Sequence, residues 1–169
     1  MPVVSLADSS ELDARRILRE LVTTGVDFVV IGGIATVLHG SARATFDLDI
    51  CFATDAANLD ALGSVLTGLH ARLRGVADDV PFVAHGRSLR QIEALTLRTD
   101  AGDLDVLARP AGVERYATLR ERADRMDVGG FTVLVASIAD LIAMKTAAGR
   151  EKDLADFTEL EAILRLRGA

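Results

Sequence analysis

Two aspartates two residues apart, in Asp47-Leu48-Asp49-Ile50, are the residues of this chain best placed to do chemistry. A β-strand has a side-chain period of two, so Asp47 and Asp49 leave one face while Leu48 and Ile50 leave the other. Carboxylates paired in this way on a buried strand are costly unless something positive lies between them, and a divalent cation meets that need. Upstream, the apolar run Val26 to Ile31 ends in the pair Gly32-Gly33, a turn whose backbone N–H groups can approach phosphate oxygens. Downstream, Asp103-Leu104-Asp105-Val106 repeats the alternation and brings a second carboxylate pair. Metals bridging phosphates to such carboxylates would serve phosphoryl transfer, with two ions roughly 3.5–4 Å apart neutralising charge and activating a hydroxyl.

Each element has a plain structural reading as well. An Asp-x-Asp is often a solvated strand end or a salt-bridged pair, and Asp103 or Asp105 alone would be an exposed hairpin residue. The glycine pair is not a dinucleotide fingerprint, which needs a third glycine, nor a P-loop, because no Gly-Lys-Ser/Thr follows. Arg43 is a candidate ion-pair partner for Asp47 or Asp49. Arg150, Lys152, Asp153 and Asp156 have the spacing of a helical surface ladder. His39, His70 and His85 lack metal-ligand spacing, and Cys51, in an apolar strand, reads as a small core residue.

The elements that must position these groups follow from periodicity and caps. Ser10 with Asp13 opens a helix over about Glu11 to Thr23, with Gly25 at its C-terminal end. Val26 to Ile31 is a strand covered on both faces, Gly32 to Leu38 a short helix, and Asp47 to Ala53 a second strand. Thr54 caps a third helix, and Arg72 to Asp79 reads as a loop. Ile92 to Thr99 and Asp103 to Leu107 form a hairpin about Asp100-Ala101-Gly102. A short helix over Val113 to Leu119, a strand over Phe131 to Val135, a Ser137-capped helix through Ala148 and a last helix over Arg150 to Leu166 complete one α/β domain spanning residues 1–169.

Bulk properties narrow the function. A net charge of -6 argues against nonspecific coating of nucleic acid. The arginines between Arg87 and Arg125 are interleaved with acids and nearly lack aromatics, so a base-stacking platform is not expected. No apolar run is long enough to span a bilayer, and the N-terminal residues lack a signal-peptide pattern, so a cytoplasmic protein with no membrane partner is expected. A lone cysteine excludes an internal disulfide.

The sequence resembles the bacterial nucleotidyltransferases that include the AbiEii-type toxins. The resemblance is carried by Val30-Ile31-Gly32-Gly33 with the helix to His39-Gly40, by Arg43-x-Thr45-x-Asp47-Leu48-Asp49, by Gly102-x-x-Asp105 and by the run from Asp140 through Lys145 to Asp156. It implies an α/β (α+β) nucleotidyltransferase fold, a mixed sheet with flanking helices around a polymerase-beta-like catalytic core. It further implies transfer of a nucleoside monophosphate from an NTP to an acceptor hydroxyl, with two Mg²⁺ ions as cofactor and Mn²⁺ as a substitute. In some relatives the acceptor is the 3′ end of tRNA and the enzyme is a toxin paired with an antitoxin protein. On that model Asp47, Asp49 and Asp105 are metal-binding and catalytic, with Asp105 the candidate base and Asp103 the weaker candidate. Gly32, Gly33, Ser41, Arg43 and Lys145 are the expected nucleotide-binding residues. Where many relatives have Gly-Ser at the turn this chain has Gly33, which leaves only backbone donors there. A small-molecule acceptor of the aminoglycoside kind, a protein acceptor, or a non-catalytic binding module are the alternatives.

Overall fold

The structure is a computed structural model that describes residues 12–76, 84–149 and 154–168. Helix α1 (Ala14–Thr23) starts later than expected: Asp13 is its N-cap and accepts a hydrogen bond from the Arg16 N–H. Ser10 lies outside the described residues. Strand β1 (Phe28–Ile31) is buried at every position, in keeping with its unbroken apolar run. It passes directly into α2 (Gly32–Leu38), whose bounds are those read from the sequence.

Strand β2 (Asp47–Phe52) leads to α3 (Ala56–Gly68), capped by Asp55 and not by Thr54, since the Asp55 carboxylate accepts from the Asn58 N–H. The segment read as a loop contains a short strand, β3 (Arg72–Leu73). A one-turn helix α4 (Gly86–Leu89) precedes the hairpin of β4 (Ala94–Thr99) and β5 (Gly102–Leu107). Helix α5 (Tyr116–Arg122) begins three residues beyond the expected Val113. A second hairpin joins β6 (Asp124–Asp127) to β7 (Thr132–Val135). Its turn is tied by Asp127, whose carboxylate accepts from the N–H groups of Gly129 and Gly130. The polar sequence of β6 concealed it, because only Met126 faces the core.

Helix α6 (Ile138–Ala148) has the expected Ser137 cap, with the serine oxygen accepting from the Asp140 N–H, and ends on left-handed Gly149. The last helix, α7, runs Leu154–Leu166. Arg150, Lys152 and Asp153 of the expected surface ladder lie outside the described residues, as does the side chain of Asp156.

Among the described residues, seven strands form one mixed sheet in the order β3-β4-β5-β2-β1-β7-β6. β2 is antiparallel to β1 and parallel to β5, and β1 is parallel to β7. Alternation divides the central strands between two faces. Leu48, Ile50, Leu104, Val106 and Leu97 are at most 1 % exposed on one face, in a core shared with Ile17, Leu18 and Leu21 of α1 and Leu59, Leu62 and Leu66 of α3. The other face carries the acids.

Candidate active site

Sheet register builds the site. Asp47 lies opposite Asp103 and Asp49 opposite Asp105 in the parallel β2–β5 pair, while Asp49 lies opposite Ile31 in the β1–β2 pair. Because in-register neighbours share a face, Asp47, Asp49 and Asp105 point the same way, beside the end of β1 where the chain turns at Gly32. One carboxylate oxygen from each of the three lies within 4.8 Å of the others.

Gly32 makes this approach possible for two reasons. Its φ of +68° is a left-handed backbone that a side chain disfavours, and a Cβ there would stand 2.1 Å from Asp49 Oδ2. A Cβ on Gly33 would meet Thr45 Oγ1 at 2.6 Å, so the loop entering β2 closes over the glycine pair.

Asp47 and Asp49 are crowded by like charge. Burial, then the neighbouring Asp47 and Asp105, push Asp49 up to about 8. Asp47 is raised too, first by burial and then by Asp105. Three hard oxygen donors converging at this distance are what a divalent cation of the Mg²⁺, Mn²⁺ or Ca²⁺ type binds, so the residues present fit such an ion.

A cavity of about 320 Å³ opens beside Asp49 and Asp105. Gly32 and Lys145 line it, and its walls are otherwise mostly apolar, with Leu95 and Leu107 from the hairpin and Met144 from α6. Lys145 thus reaches the site although it lies far from the aspartates in sequence.

Three other expected residues stand outside the lining of this cavity. Ser41 is buried in the loop after α2, where its hydroxyl donates to Glu159 of α7 at 3.0 Å and accepts from the Arg43 N–H at 3.1 Å. Ser41, Arg43 and Gly33 are not among the described residues that line the cavity. Cys51 is core, as read, its thiol pushed up to about 12 by burial.

An arginine not anticipated from the sequence reaches the acids. The Arg74 guanidinium contacts Asp105 at 2.9 Å and Asp103 at 3.2 Å, and Arg98 contacts Asp103 at 3.1 Å. Arg74 follows a two-residue strand in a segment read as a loop, and only the pairing of that strand with β4 reveals its direction. His39 is also fixed, by geometry unrelated to metal: Nε2 lies 2.8 Å from the Ala136 carbonyl oxygen and Nδ1 lies 3.1 Å from the Arg167 guanidinium.

Solved structures share this fold. The lincosamide antibiotic adenylyltransferase LnuA, lincomycin-bound, superposes with a TM-score of 0.63 at 17% identity, covering 90% of this chain and 99% of that one. The antibiotic-resistance factor ANT(2'')-Ia gives 0.57 at 14% identity in solution, covering 91% and 86%. Its crystal complex with adenylyl-2"-tobramycin gives 0.55 at 16%, covering 91% and 92%. No curated protein matches the sequence. The family model described as "nucleotidyltransferase of unknown function (DUF6036)" matches residues 12–166, a broader assignment than the AbiEii type that the motifs resemble. The chain, with its acidic cluster on β2 and β5 beside the end of β1, belongs to that nucleotidyltransferase family.

Proposed function

We propose that this nucleotidyltransferase moves a nucleoside monophosphate from an NTP to a hydroxyl of a small molecule, with Mg²⁺ at Asp47, Asp49 and Asp105. The observation that carries the reading is the convergence of those three carboxylates within 4.8 Å beside the Gly32 turn. The bound cations would supply charge neutralisation at the triphosphate and a more acidic acceptor hydroxyl.

The chain's own residues divide the remaining work. Backbone N–H groups at Gly32 and Gly33 and the Lys145 ammonium take phosphate oxygens. Asp105, the carboxylate on the hairpin side of the cavity, accepts the proton of the acceptor hydroxyl as its oxygen bonds to the α-phosphorus and the bond to pyrophosphate breaks. Held in line, the reactants gain chiefly from positioning and charge compensation. Ser41 and Arg43 support the site from the α2–β2 loop, which Ser41 anchors to α7.

The cavity supports the small acceptor. Its acids, among the described residues, are Asp49 and Asp105, and its walls otherwise suit an apolar or weakly polar body. A nucleic-acid end would instead call for a basic, aromatic-bearing groove, whereas the chain has a net charge of -6. The structural neighbours LnuA and ANT(2'')-Ia, bound to lincomycin and to an adenylylated tobramycin, illustrate acceptors of small-molecule size. The RNA reading, with tRNA as acceptor and an antitoxin as partner, is supported by the motif resemblance from Gly32 to Asp49 and in the run after Asp140.

One assay separates the two. The chain is incubated with each α-labelled NTP and Mg²⁺, once with a panel of hydroxyl-bearing antibiotics and once with total RNA. Label in a small molecule is the expected result; label entering RNA alone overturns the acceptor assignment.

A further inference from the structure

Asp103 and Arg74 have no part in the proposal above, yet both lie on the catalytic face. The sheet explains their position. The Arg74 N–H donates to the Thr96 carbonyl at 3.0 Å, extending the β3–β4 ladder one residue past Leu73. Thr96 lies opposite Asp105, Asp105 opposite Asp49, and Asp49 opposite Ile31. Arg74 therefore heads a row that crosses five strands and ends at the Gly32 turn. The adjacent row runs from Arg98 through Asp103 to Asp47. A guanidinium in this place spans both rows, and its two terminal nitrogens reach Asp105 Oδ1 at 2.9 Å and Asp103 Oδ2 at 3.2 Å.

We propose that Arg74 is a positioning residue for Asp105, and that Asp103 is the anchor that aims Arg74. The inference rests on the reading of Asp47, Asp49 and Asp105 as a cation site. A carboxylate on a strand can rotate about χ2; a bond to Oδ1 from a planar fork whose other arm is fixed removes that freedom. Asp103 is itself braced, because its Oδ1 accepts from Arg98 Nε. Groups that orient a metal-binding carboxylate in this way commonly matter nearly as much as the ligands.

The opposing possibility is that Arg74 merely substitutes for a cation and must leave when one arrives. Geometry favours the bridge. A substitute would sit among Asp47, Asp49 and Asp105, whereas Arg74 bonds Asp105 and Asp103 on the side toward β4. With Arg74 in place, the three carboxylates still converge within 4.8 Å. Its charge is also compensated by Asp103, and all three side chains in the bridge are no more than a quarter exposed, so solvent has limited access to loosen it. Asp103 is thus an acid that shares a face with the metal-binding set without belonging to it.

The sign of a metal-affinity change decides between the two. Mn²⁺ titrations of the full chain, read by the electron-spin signal of the free ion, compare wild type with Arg74→Ala, Arg74→Lys and Asp103→Asn, each checked for an intact thermal transition. The bridge predicts that Arg74→Ala weakens Mn²⁺ binding by about 10–100-fold. Arg74→Lys, which keeps the charge but loses the fork, should recover part of that loss, and Asp103→Asn should shift binding several-fold in the weakening direction. The Mg²⁺ concentration for half-maximal transfer should rise more than kcat at saturating Mg²⁺ falls. Equal or tighter Mn²⁺ binding by Arg74→Ala makes the guanidinium a substitute cation and overturns the inference; if that variant is unfolded, the same reading of Asp103→Asn decides. A wild-type chain that takes up no Mn²⁺ sinks the cation-site reading, and the bridge with it, whereas wild-type uptake with unaltered variants sinks the bridge alone.

Discussion

Asp140 and Asp49 are both largely buried acids, and they are treated in opposite ways. Asp140, in the first turn of α6, receives Arg122 through two hydrogen bonds of 2.7 and 3.1 Å and the Ser137 hydroxyl at 3.1 Å. Asp49 has Asp47 and Asp105 as neighbours, and the approach of Gly32. Evidently the fold can compensate a buried carboxylate, since it does so at Asp140 with a planar fork and a cap. Asp49, crowded by like charge, has no such fork on it among the described residues, which is what the proposed cation site would require. Asp27, a more exposed acid just before β1, is partnered as Asp140 is, accepting from the Tyr116 hydroxyl and from Arg120.

The comparison is broken most directly by the matched pair Asp49→Asn and Asp140→Asn. Asp49→Asn should lower transfer by roughly 10³-fold or more, through loss of a metal-binding charge. Its melting temperature in chelator at pH 7 should hold or rise, because a neutral amide replaces a carboxyl whose proton is retained up to about 8. Asp140→Asn should do the reverse, costing about 1–3 kcal/mol of stability by weakening a charged hydrogen-bond set while the folded protein stays active. Denaturant melts and labelling rates on both proteins check the contrast; a large stability loss in Asp49→Asn would place it with Asp140 as a structural acid.

Of these two acids the sequence singled out Asp49 as a candidate ligand, and the reason is periodicity. Asp47, Asp49 and Asp105 stood out because strict alternation puts carboxylates on one face of strands whose other face is apolar, and the structure has them there. The glycine pair and α2 were equally visible, since an apolar strand that ends in two glycines before a short apolar stretch marks a strand-to-helix turn. Arg74 was not legible: a two-residue strand has no period to read, and its partner is determined by a hairpin more than twenty residues on. β6 was missed because a polar edge strand with one buried residue, Met126, resembles a loop. Ser41 was named for its hydroxyl, but its contact with Glu159 is tertiary and leaves no mark in local sequence. The capping residues Asp13 and Asp55 were misjudged by one to three positions, as expected where several Ser, Thr and Asp residues compete for one helix end.

Solution pH sharpens the contrast on the thermodynamic side. Asp49 binds its proton more tightly folded than unfolded, so its contribution to stability is full below the ordinary 3.8 and is lost as pH rises toward about 8. Asp47, raised by burial and Asp105, acts in the same direction. His39 has the opposite sign: burial lowers its pKa against the smaller raising effect of the Ala136 carbonyl, so its contribution is present above 6.5 and lost as pH falls below that value. The metal-free chain should therefore lose melting temperature through Asp49 as pH rises from 3.8 to about 8, and through His39 as pH falls below 6.5, the two opposing each other where the windows overlap. Asp49→Asn should remove the loss between 3.8 and about 8 and leave the His39 limb in place, and saturating Mg²⁺ should flatten the former in the wild type. Calorimetry of Mg²⁺ binding in buffers of different ionisation heat should detect proton release at pH 7; binding without proton release would mean that Asp49 is already charged.

The smallest effect, and the cleanest control, comes from two glycines with the same backbone and different surroundings. Gly32 has φ +68° and Gly149 φ +63°, so alanine at either carries the left-handed penalty of about 1–2 kcal/mol. At Gly149 a Cβ meets nothing within 4 Å, and Gly149→Ala should cost that much stability, shorten no contact and leave transfer near wild type. At Gly32 the Cβ would lie 2.1 Å from Asp49 Oδ2, which forces either the turn or the carboxylate aside. Gly32→Ala should cost more than Gly149→Ala in a chelator melt, because Asp49 Oδ2 and Cγ can swing away from the added methyl but Asp49 Cβ, at 3.0 Å, is held by its strand. It should differ in Mn²⁺ titration, since the swing that relieves the clash withdraws an oxygen from the cluster. Equal Mn²⁺ affinity in the two variants would show that the close approach of Gly32 to Asp49 serves packing and not the cation.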